Sequence, residues 1–251
     1  MAFNDALHTL TLSDDGSYTA YSKEYEQHYH STKDGALHES LSKHVIPAFE
    51  LIDKEEIYIL DICYGLGFNT LATLLYYQQN AAHVKLHIYS PELDAKLVKS
   101  LELFSYPKEF APLEEIIVAL SRKGVYCDEK IAIEIHLGDA REYVKKFHNF
   151  FDIVYQDAFS PDVNPLLWTK EYFGDIARAM KHDAVLTTYS IAFKIRLALY
   201  ENGFHVYLNE GEGYRTATLA SLTKLPNATE VDMEHKIACN AGVKSLRDAD
   251  V

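Results

Sequence analysis

One stretch of the sequence, residues 57–70 (IYILDICYGLGFNT), constrains the fold more than any other. Its apolar first half leads into a turn with two glycines, Gly65 and Gly67, and then into a helical pattern that begins at Asn69. A continuous apolar run is typical of a buried parallel strand, and glycine lets the backbone of the turn approach a ligand closely. The following helix start adds N–H groups without intrahelical partners. The stretch therefore predicts a nucleotide-type binding turn, or else a glycine turn that only packs helix on strand.

Strands and helices alternate after this stretch, which predicts a doubly wound α/β sheet. The further strands are expected at 84–90, 131–137, 151–156 and 184–189, with a closing antiparallel pair at 204–208 and 217–222. The connecting helices are expected at 95–104, 109–120, 140–147, 166–180 and 191–201. The pattern thus indicates a mostly parallel, seven-stranded sheet with helices on both faces, as in Rossmann-like folds.

Smaller units flank this core. Near the N-terminus, two alternating runs around an Asp-Asp-Gly turn at 14–16 predict a β-hairpin. A helix is expected at 36–51, with His38, Glu39 and Lys43 on its exposed face. The C-terminal segment is polar and is expected to be a peripheral tail. The three predicted units are 1–53, which lines the cofactor site, 54–224, which forms the core, and 225–251.

Composition narrows the class of protein. The chain has 251 residues and 48% hydrophobic residues, enough for one sizeable core. It carries neither a long apolar run nor a start typical of a signal peptide, and its three cysteines are scattered, so we expect a cytoplasmic protein without a membrane partner. A net charge of −13 argues against broad, non-specific binding of nucleic acid but leaves a local basic patch open.

A cluster of potential metal ligands lies before the core. His28 and His30 fall in a polar loop at 26–35, and His38 and Glu39 follow it. The two loop histidines have no fixed helical or hairpin spacing, which a metal site would need. We therefore expect no metal here and interpret the loop as part of the lining of a site.

Four acidic residues stand where predicted strands end: Asp61, Glu92, Asp139 and Asp157. Because the carboxyl ends of parallel strands share one edge, all four should face one crevice. Glu92 follows the glycine turn at a distance that suits the acid that binds ribose hydroxyls, although a helix-start glutamate would also fit. Asp139 could equally cap the next helix.

The acids and the glycine spacing indicate the type of ligand. Thr70 occupies the place of the third glycine of a dinucleotide fingerprint, and the Gly-Lys-Ser of a phosphate-binding loop is missing. A ligand with a ribose, an adenine and cationic groups suits an acidic, aromatic cleft better than a pyrophosphate does. S-adenosylmethionine (S-adenosyl-L-methionine) is such a ligand and is the cofactor we expect.

The loop after the fourth strand, Asp-Ala-Phe-Ser-Pro-x-x-Asn-Pro-x-x-Trp-Thr at 157–169, is the most specific motif. The supporting motifs are Tyr29-x-Ser31 with Gly35 and Glu39, Gly65-x-Gly67-x-Asn69, Ser90-x-Glu92, Gly138-Asp139 and Gly211-x-Gly213-x-Arg215. With these motifs the chain, over residues 10–222, resembles the S-adenosylmethionine-dependent methyltransferase family that completes 5-methylaminomethyl-2-thiouridine at the wobble position of tRNA, the MnmC methyltransferase domain. Cys63 departs from the family, which usually has a glycine there.

The resemblance implies a class I methyltransferase fold and a set of site residues. Asp157 would be catalytic, orienting the amine of 5-aminomethyl-(2-thio)uridine and taking up its developing positive charge. Trp168 would also fit a core position at a helix start. The implied cofactor-binding residues are Tyr29, Glu39, Asp61, Gly65, Gly67, Asn69, Glu92 and Asp139. The implied substrate-binding residues are Phe159, Pro161, Trp168 and Arg215.

The resemblance also sets the expected partners. The tRNA wobble uridine would be the acceptor, and a separate enzyme would supply its aminomethyl precursor, because the flavin-dependent oxidase domain fused to some family members has no counterpart here. An acidic chain needs local cations to hold tRNA, and the candidates are Lys33, Lys43, Lys194, Arg196 and Arg215.

Three alternatives to this function stay open from the sequence. They are an aminopropyltransferase of the polyamine-synthase type, another small-amine N-methyltransferase, and a non-catalytic cofactor-binding protein.

Overall fold

The computed structural model describes Phe3 and residues 7–251, and residues 1, 2 and 4–6 of the predicted N-terminal unit lie outside the described residues. It contains a three-stranded N-terminal sheet and an eight-stranded mixed sheet. No helix of the described part is long and apolar enough to cross a bilayer.

The N-terminal sheet consists of β1 (His8–Leu12), β2 (Tyr18–Ser22) and β3 (Gln27–His28). The antiparallel pairing of β1 with β2 confirms the predicted hairpin. The prediction of a loop at 26–35 is wrong in its first part, because β3 pairs with the end of β2. Tyr21 lies opposite His28 in this pairing.

The helix predicted at 36–51 is present but irregular. It begins as α1 (Ala36–Ser40), continues through a π-helical turn, Leu41–Val45, and ends as α2 (Ile46–Phe49). The wider π turn changes the face that each side chain occupies. Glu39 and Lys43 are therefore buried, at 9% and 3% exposure, and the prediction that they face solvent was wrong.

The large sheet contains the seven predicted strands and one more. Its strands are β4 (Glu56–Ile62), β5 (Lys85–Glu92), β6 (Val125–Cys127), β7 (Ile131–Leu137), β8 (Phe151–Gln156), β9 (Met180–Thr188), β10 (His205–Asn209) and β11 (Ala217–Ser221). Their order is β10-β11-β9-β8-β4-β5-β7-β6. The five central strands are parallel, and β6, β10 and β11 pair antiparallel. The short edge strand β6 was not predicted.

Helices cover both faces of the large sheet. They are α3 (Phe68–Asn80), α4 (Ala95–Ser100), α5 (Glu114–Lys123), α6 (Ala140–Val144), α7 (Lys170–Ala179), α8 (Phe193–Tyr200) and α9 (Met233–Cys239). Pro107 precedes a 3₁₀ turn, Lys108–Leu113, that contains Pro112, and this turn delays the start of α5 relative to the predicted 109–120. A 3₁₀ turn at Pro165–Trp168 likewise delays α7.

Strand β4 shows why the sheet is buried. Ile57 and Ile59 pack into the apolar cluster on one face, and Leu60 and Ile62 pack into the cluster on the other. Side chains alternate between faces along a strand, so a strand buried on both sides must be apolar throughout. That requirement explains the continuous apolar run that ends at Asp61.

The C-terminal segment is bound to the core more closely than a peripheral tail would be. Val231 and Met233 are buried among core residues. Arg141 donates two hydrogen bonds to the carboxylate of Asp248, at 2.8 and 2.6 Å, and Lys170 N donates to Leu246 O at 2.8 Å. Residues 231–248 therefore brace α6 and α7.

Asp152 anchors the end of the sheet opposite the glycine turn. Its fully buried carboxylate accepts from Lys54 Nζ at 2.7 Å, from Lys181 Nζ at 2.8 Å and from Tyr58 N at 2.9 Å. Lys181 also lies over the Tyr58 ring, 4.8 Å from its centroid. The carboxylate thus joins β4, β8 and β9.

Replacing Asp152 by alanine should lower the free energy of unfolding by about 3 kcal/mol, because removing one partner of a buried ion pair leaves the others uncompensated. Urea unfolding measures this loss. The matched control is Asp183→Ala, which removes the other carboxylate bound by Lys54, one that is 63% exposed, and should change stability by less than about 1 kcal/mol. Equal effects of the two variants would contradict the anchoring role.

Candidate active site

The glycine turn has the backbone conformation that its sequence predicts. Gly65 and Gly67 have φ of 53° and 77°, in the left-handed region, and Gly67 stands directly before α3. A Cβ on Gly67 would lie 2.7 Å from Tyr64 Oη, so a side chain there is excluded by space as well as by φ. Cys63 also has a positive φ, 66°, which explains why glycine suits this position.

A cavity of about 1000 Å³ opens above this turn, between the N-terminal sheet and the carboxyl ends of the central strands. Pockets for small molecules span roughly 300–1,000 Å³, so this one has room for a cofactor and part of a second substrate. The predicted site residues that line it are Tyr29, Glu39, Gly65, Glu92, Asp139, Asp157, Phe159 and Arg215.

The other predicted residues lie behind this lining in the described chain. Asp61 and Asn69 are buried beneath it, at 1% and 5% exposure. Gly67 lies under the Tyr64 ring, and Pro161 is half-buried and does not line the cavity. Trp168 has no exposed surface, and its indole N–H donates to Phe159 O at 2.8 Å. A base therefore cannot stack directly on Trp168. The Trp168 indole supports the Phe159 backbone instead.

Glu92 and Asp139 lie at the rim of the cavity on neighbouring strands. Glu92 is the last residue of β5, and its carboxylate accepts from Gly65 N and from Asp94 N, both at 2.8 Å. Burial raises the pKa of Glu92, although these backbone N–H groups oppose that rise. Asp139 caps α6 through Arg141 N at 2.7 Å while its side chain lines the cavity. The position of Asp139 is thus compatible with both predictions, a contact with the ligand and a cap of the helix.

Glu39 belongs to a buried ion-pair network. Lys43 Nζ donates to Glu39 Oε1 and to Asp34 Oδ2, both at 2.7 Å, and Ser31 N donates to Glu39 Oε2 at 2.7 Å. The network fixes the loop that carries Tyr29 to the helix. It also fully engages Lys43, which removes this lysine as a candidate phosphate contact.

Asp157 occupies the floor of the cavity, with its side chain 13% exposed. Asn69 Nδ2 donates to Asp157 Oδ2 at 2.8 Å, and His44 Nε2 lies 3.5 Å from Asp157 Oδ1. Burial opposes ionisation of Asp157, but the positive charge of His44 in its protonated form, helped by His30 and the Asn69 hydrogen bond, outweighs it and holds the pKa below its usual value. Asp157 is therefore an ionised carboxylate aimed at the cavity.

Asp61 has the opposite electrostatic character. It accepts from Thr70 Oγ1 at 2.8 Å and is contacted by Asn69 Nδ2 at 3.4 Å. Burial raises the pKa of Asp61 to about 7; the Thr70 hydrogen bond opposes this rise, and the charge of Asp157 adds to it. Asn69 thus links a carboxylate that stays ionised to one whose pKa is raised to about 7.

Replacing Asp61 by asparagine should remove a pH dependence of stability. The folded-state pKa lies above the unfolded value, about 3.9, so the ionised carboxylate destabilises the wild type increasingly as pH rises from about 4 to about 7. The gain in unfolding free energy of Asp61→Asn over wild type should be larger at pH ~8 than at pH ~5, as measured by urea unfolding. Asp53→Asn, at an exposed position, is the control, and a gain that is the same at both pH values would refute the interpretation.

Phe159 is part of an aromatic cluster at the cavity. Its ring lies 4.8 Å from the rings of both Tyr25 and Tyr29, centroid to centroid. Tyr29 packs against Gly65, where a Cβ would come within 3.2 Å of its ring. The cluster therefore connects the turn with the loop after β8.

Cationic side chains gather at the cavity mouth. Lys33, Lys96 and Arg215 line it and are exposed. The Arg215 side chain, 70% exposed, reaches Ser31 Oγ at 3.2 Å and Asp34 Oδ2 at 3.5 Å. Arg196, by contrast, is buried against Thr218, with 9% exposure, so it is not a surface contact.

Several residues of this site carry no recognisable signal in the sequence. Tyr25 lines the cavity from the turn after β2, and Lys96 lines it from the first turn of α4. His44 was hidden in the predicted helix, between Lys43 and Val45, where no motif marked it. Among the described residues, no group of three or more His, Cys, Asp or Glu is arranged to hold a metal ion. His28 and His30 contact Thr11 and Thr19 instead.

Comparison with known proteins defines the class first. Residues 111–224 match the sequence model of a family described as S-adenosyl-L-methionine-dependent methyltransferase. The crystal structure of MNMC2 from Aquifex aeolicus superimposes with a TM-score of 0.84 at 30% identity, covering 98% of this chain and 80% of that one. The protein is therefore an S-adenosylmethionine-dependent methyltransferase with a class I fold.

The relatives narrow the class to a family. A protein of Methanocaldococcus jannaschii described as uncharacterized is 32% identical over 96% of this chain and 67% of its own length. The tRNA 5-methylaminomethyl-2-thiouridine biosynthesis bifunctional protein MnmC of Azoarcus sp. is 32% identical over 82% of this chain. The chain belongs to the MnmC-like methyltransferase family. It spans about a third of the bifunctional relatives' length, 34% in the Azoarcus protein.

Proposed function

We propose that the protein transfers a methyl group from S-adenosylmethionine to the exocyclic amine of 5-aminomethyl-(2-thio)uridine at the wobble position of tRNA. The observation that carries the proposal is an ionised Asp157 held at the cavity floor by Asn69, next to the Phe159 aromatic cluster. The names of the MnmC relatives support this acceptor.

The cofactor suits the residues of the cavity. Its positive charge is favoured by the carboxylates of Glu92, Asp139 and Asp157. We assign the ribose to Glu92, the adenine amine to Asp139 and the methionine part to the backbone at Gly65. When bound, the cofactor supplies an electrophilic methyl group. Asp61 and Asn69 would act from beneath, by holding the turn and Asp157 in place.

The acceptor amine must be unprotonated to react, and alkylamines have a pKa of about 10. Asp157 can hold the ammonium group, accept its proton and stabilise the charge that forms on nitrogen. Phe159 and Tyr25 offer faces on which an extruded base can stack. Exposed Lys33, Lys96 and Arg215 give the acidic chain a local contact for phosphates. Because the amine must exist before it is methylated, another enzyme would install it.

A group-transfer assay tests the proposal, with S-adenosylmethionine labelled in its methyl group and decarboxylated S-adenosylmethionine labelled in its aminopropyl group. The acceptors are undermodified tRNA with the aminomethyl group, the same tRNA without it, and putrescine offered with decarboxylated S-adenosylmethionine. Label only in the first supports the proposal. Label in spermidine would establish the aminopropyltransferase alternative, and the absence of label in all three would exclude both activities.

Replacing Arg215 by glutamine should weaken tRNA binding several-fold and reduce the slope of log affinity against log salt by about one, because one phosphate contact is lost. Fluorescence anisotropy over a salt series measures both effects. Arg122→Gln is the matched control, since Arg122 is 66% exposed, pairs with Glu102 and lies outside the cavity lining. If the two variants have the same salt slope, Arg215 does not contact a phosphate.

A further inference from the structure

The π-helical turn holds an imidazole behind Asp157. His44 has no exposed surface, and Lys43 and Val45 beside it in this turn are buried as well. Its Nδ1 is 2.9 Å from Thr187 Oγ1 on β9, and its ring meets Tyr155 on β8 edge to face, with centroids 5.7 Å apart. Two strands of the sheet thus fix both the position and the orientation of the ring.

The other nitrogen of His44 faces the site. Nε2 lies 3.5 Å from Asp157 Oδ1 and has no hydrogen-bond partner of ordinary geometry in the described part of the chain. Buried polar atoms rarely lack a partner without a functional reason. When Thr187 accepts from Nδ1–H, Nε2 carries the lone pair, and it can accept a hydrogen bond from Asp157 once that carboxyl group has taken up a proton.

Asp157 by itself is a poor final acceptor for the amine proton. The positive charge of His44 in its protonated form, helped by His30 and the Asn69 hydrogen bond, stabilises ionised Asp157 and holds its pKa below the usual value. An imidazole is a stronger base than a carboxylate. Asp157 can therefore pass a proton on to the stronger base that lies behind it.

We infer that His44 is a positioning residue and the end point of a proton relay, in which the acceptor ammonium passes its proton to Asp157 and Asp157 passes it to His44 Nε2. This inference rests on the proposed function. In the relay, an N–H bond of the ammonium breaks and its electron pair stays on the amine nitrogen. A new N–H bond forms at Nε2, Asp157 ends as it began, and the proton returns to solvent after product release.

Kinetics of His44→Gln over a pH range provide the first test. At pH ~7, kcat for aminomethylated tRNA should fall by about 10²-fold, since a general-base path is lost, while calorimetry shows unchanged cofactor affinity. The deficit should shrink as pH rises toward about 9, because more of the amine is then unprotonated in solution. A deficit that is constant with pH, or the absence of any deficit, would overturn the relay.

Other ionisable groups face His44, and their effects on the pH dependence must be separated from its own. They are Asp157 and Tyr155 from β8 and the loop after it, Asp61 from β4, and His30 from the loop before α1. Thr187→Val is therefore a second variant, which keeps all of these groups and disturbs only the partner of Nδ1. It should give a smaller deficit with the same dependence on pH.

A substrate-free measurement separates this inference from the proposed function. In protein with ¹³C-labelled aspartate, the titration midpoint of Asp157 should rise by about one pH unit in His44→Gln, because a stabilising partner is removed. An unchanged midpoint would refute the coupling. If wild type methylates none of the tRNA acceptors, the proposed function fails, and this midpoint still decides whether His44 and Asp157 act as a pair.

Discussion

Replacing Asp157 by asparagine should lower the rate of methyl transfer by about 10²- to 10⁴-fold, the range for loss of a group that takes a proton in the reaction. Cofactor affinity should change little. Asn69 holds Asp157 from one side and His44 faces it from the other, so its exposed edge is directed to the open cavity. The asparagine keeps the shape of the side chain but cannot accept the amine proton.

Two measurements separate an effect of this substitution on the chemical step from an effect on cofactor binding. Single-turnover kinetics give the rate of the chemical step, and calorimetry gives cofactor affinity. Asp162→Asn is the matched control, because its side chain lies on the same loop and is 86% exposed. Parallel losses of rate and cofactor affinity in Asp157→Asn would place Asp157 in contact with the cofactor instead of the acceptor.

Replacing Glu92 by alanine should weaken cofactor binding by about 10²-fold, which corresponds to about 3 kcal/mol. Hydrogen bonds to a charged group contribute about 1.5–3 kcal/mol each. The Glu92 carboxylate holds Gly65 N and Asp94 N, so its loss would loosen the turn in addition to removing the ribose contact. The variant thus removes both a ligand contact and its support.

Calorimetric titration with S-adenosylmethionine measures the effect. Glu102→Ala serves as the control, because Glu102 pairs with Arg122 and lies outside the cavity lining. Glu92→Gln should fall between wild type and Glu92→Ala, since an amide still accepts one hydrogen bond. Unchanged affinity in Glu92→Ala would remove Glu92 from the cofactor site.

Much of the fold followed from local patterns. The apolar run that ends at Asp61 has to be a strand buried on both faces, and Gly65 and Gly67 have to turn with positive φ. Alternating patterns then predicted seven of the eight strands in the large sheet. The eighth, β6, has three residues and pairs only at the edge, so its sequence carries too little periodicity to be recognised.

The sequence predicted which acids face the site but not how deeply each side chain lies, and the reason is physical. Acids at strand ends could be assigned to one crevice because parallel strands end at one edge of the sheet. The depth of a side chain could not be assigned in this way. Asp61 and Trp168 are buried behind the lining, whereas Tyr25, from an unremarkable loop, reaches into the cavity. The depth at which a side chain is buried depends on which loops cover it. That arrangement is a property of the folded chain.

The sequence by itself determined the sheet, the glycine turn and the row of acids, because each depends on residues close together along the chain. Only the tertiary structure decided which acid carries a charge. Asn69 joins Asp61 to Asp157, and His44 reaches Asp157 from a distant helix. Burial raises the pKa of Asp61 to about 7, while these partners keep Asp157 ionised. The two carboxylates differ because burial and partners, and not residue type, set the free energy of each charge.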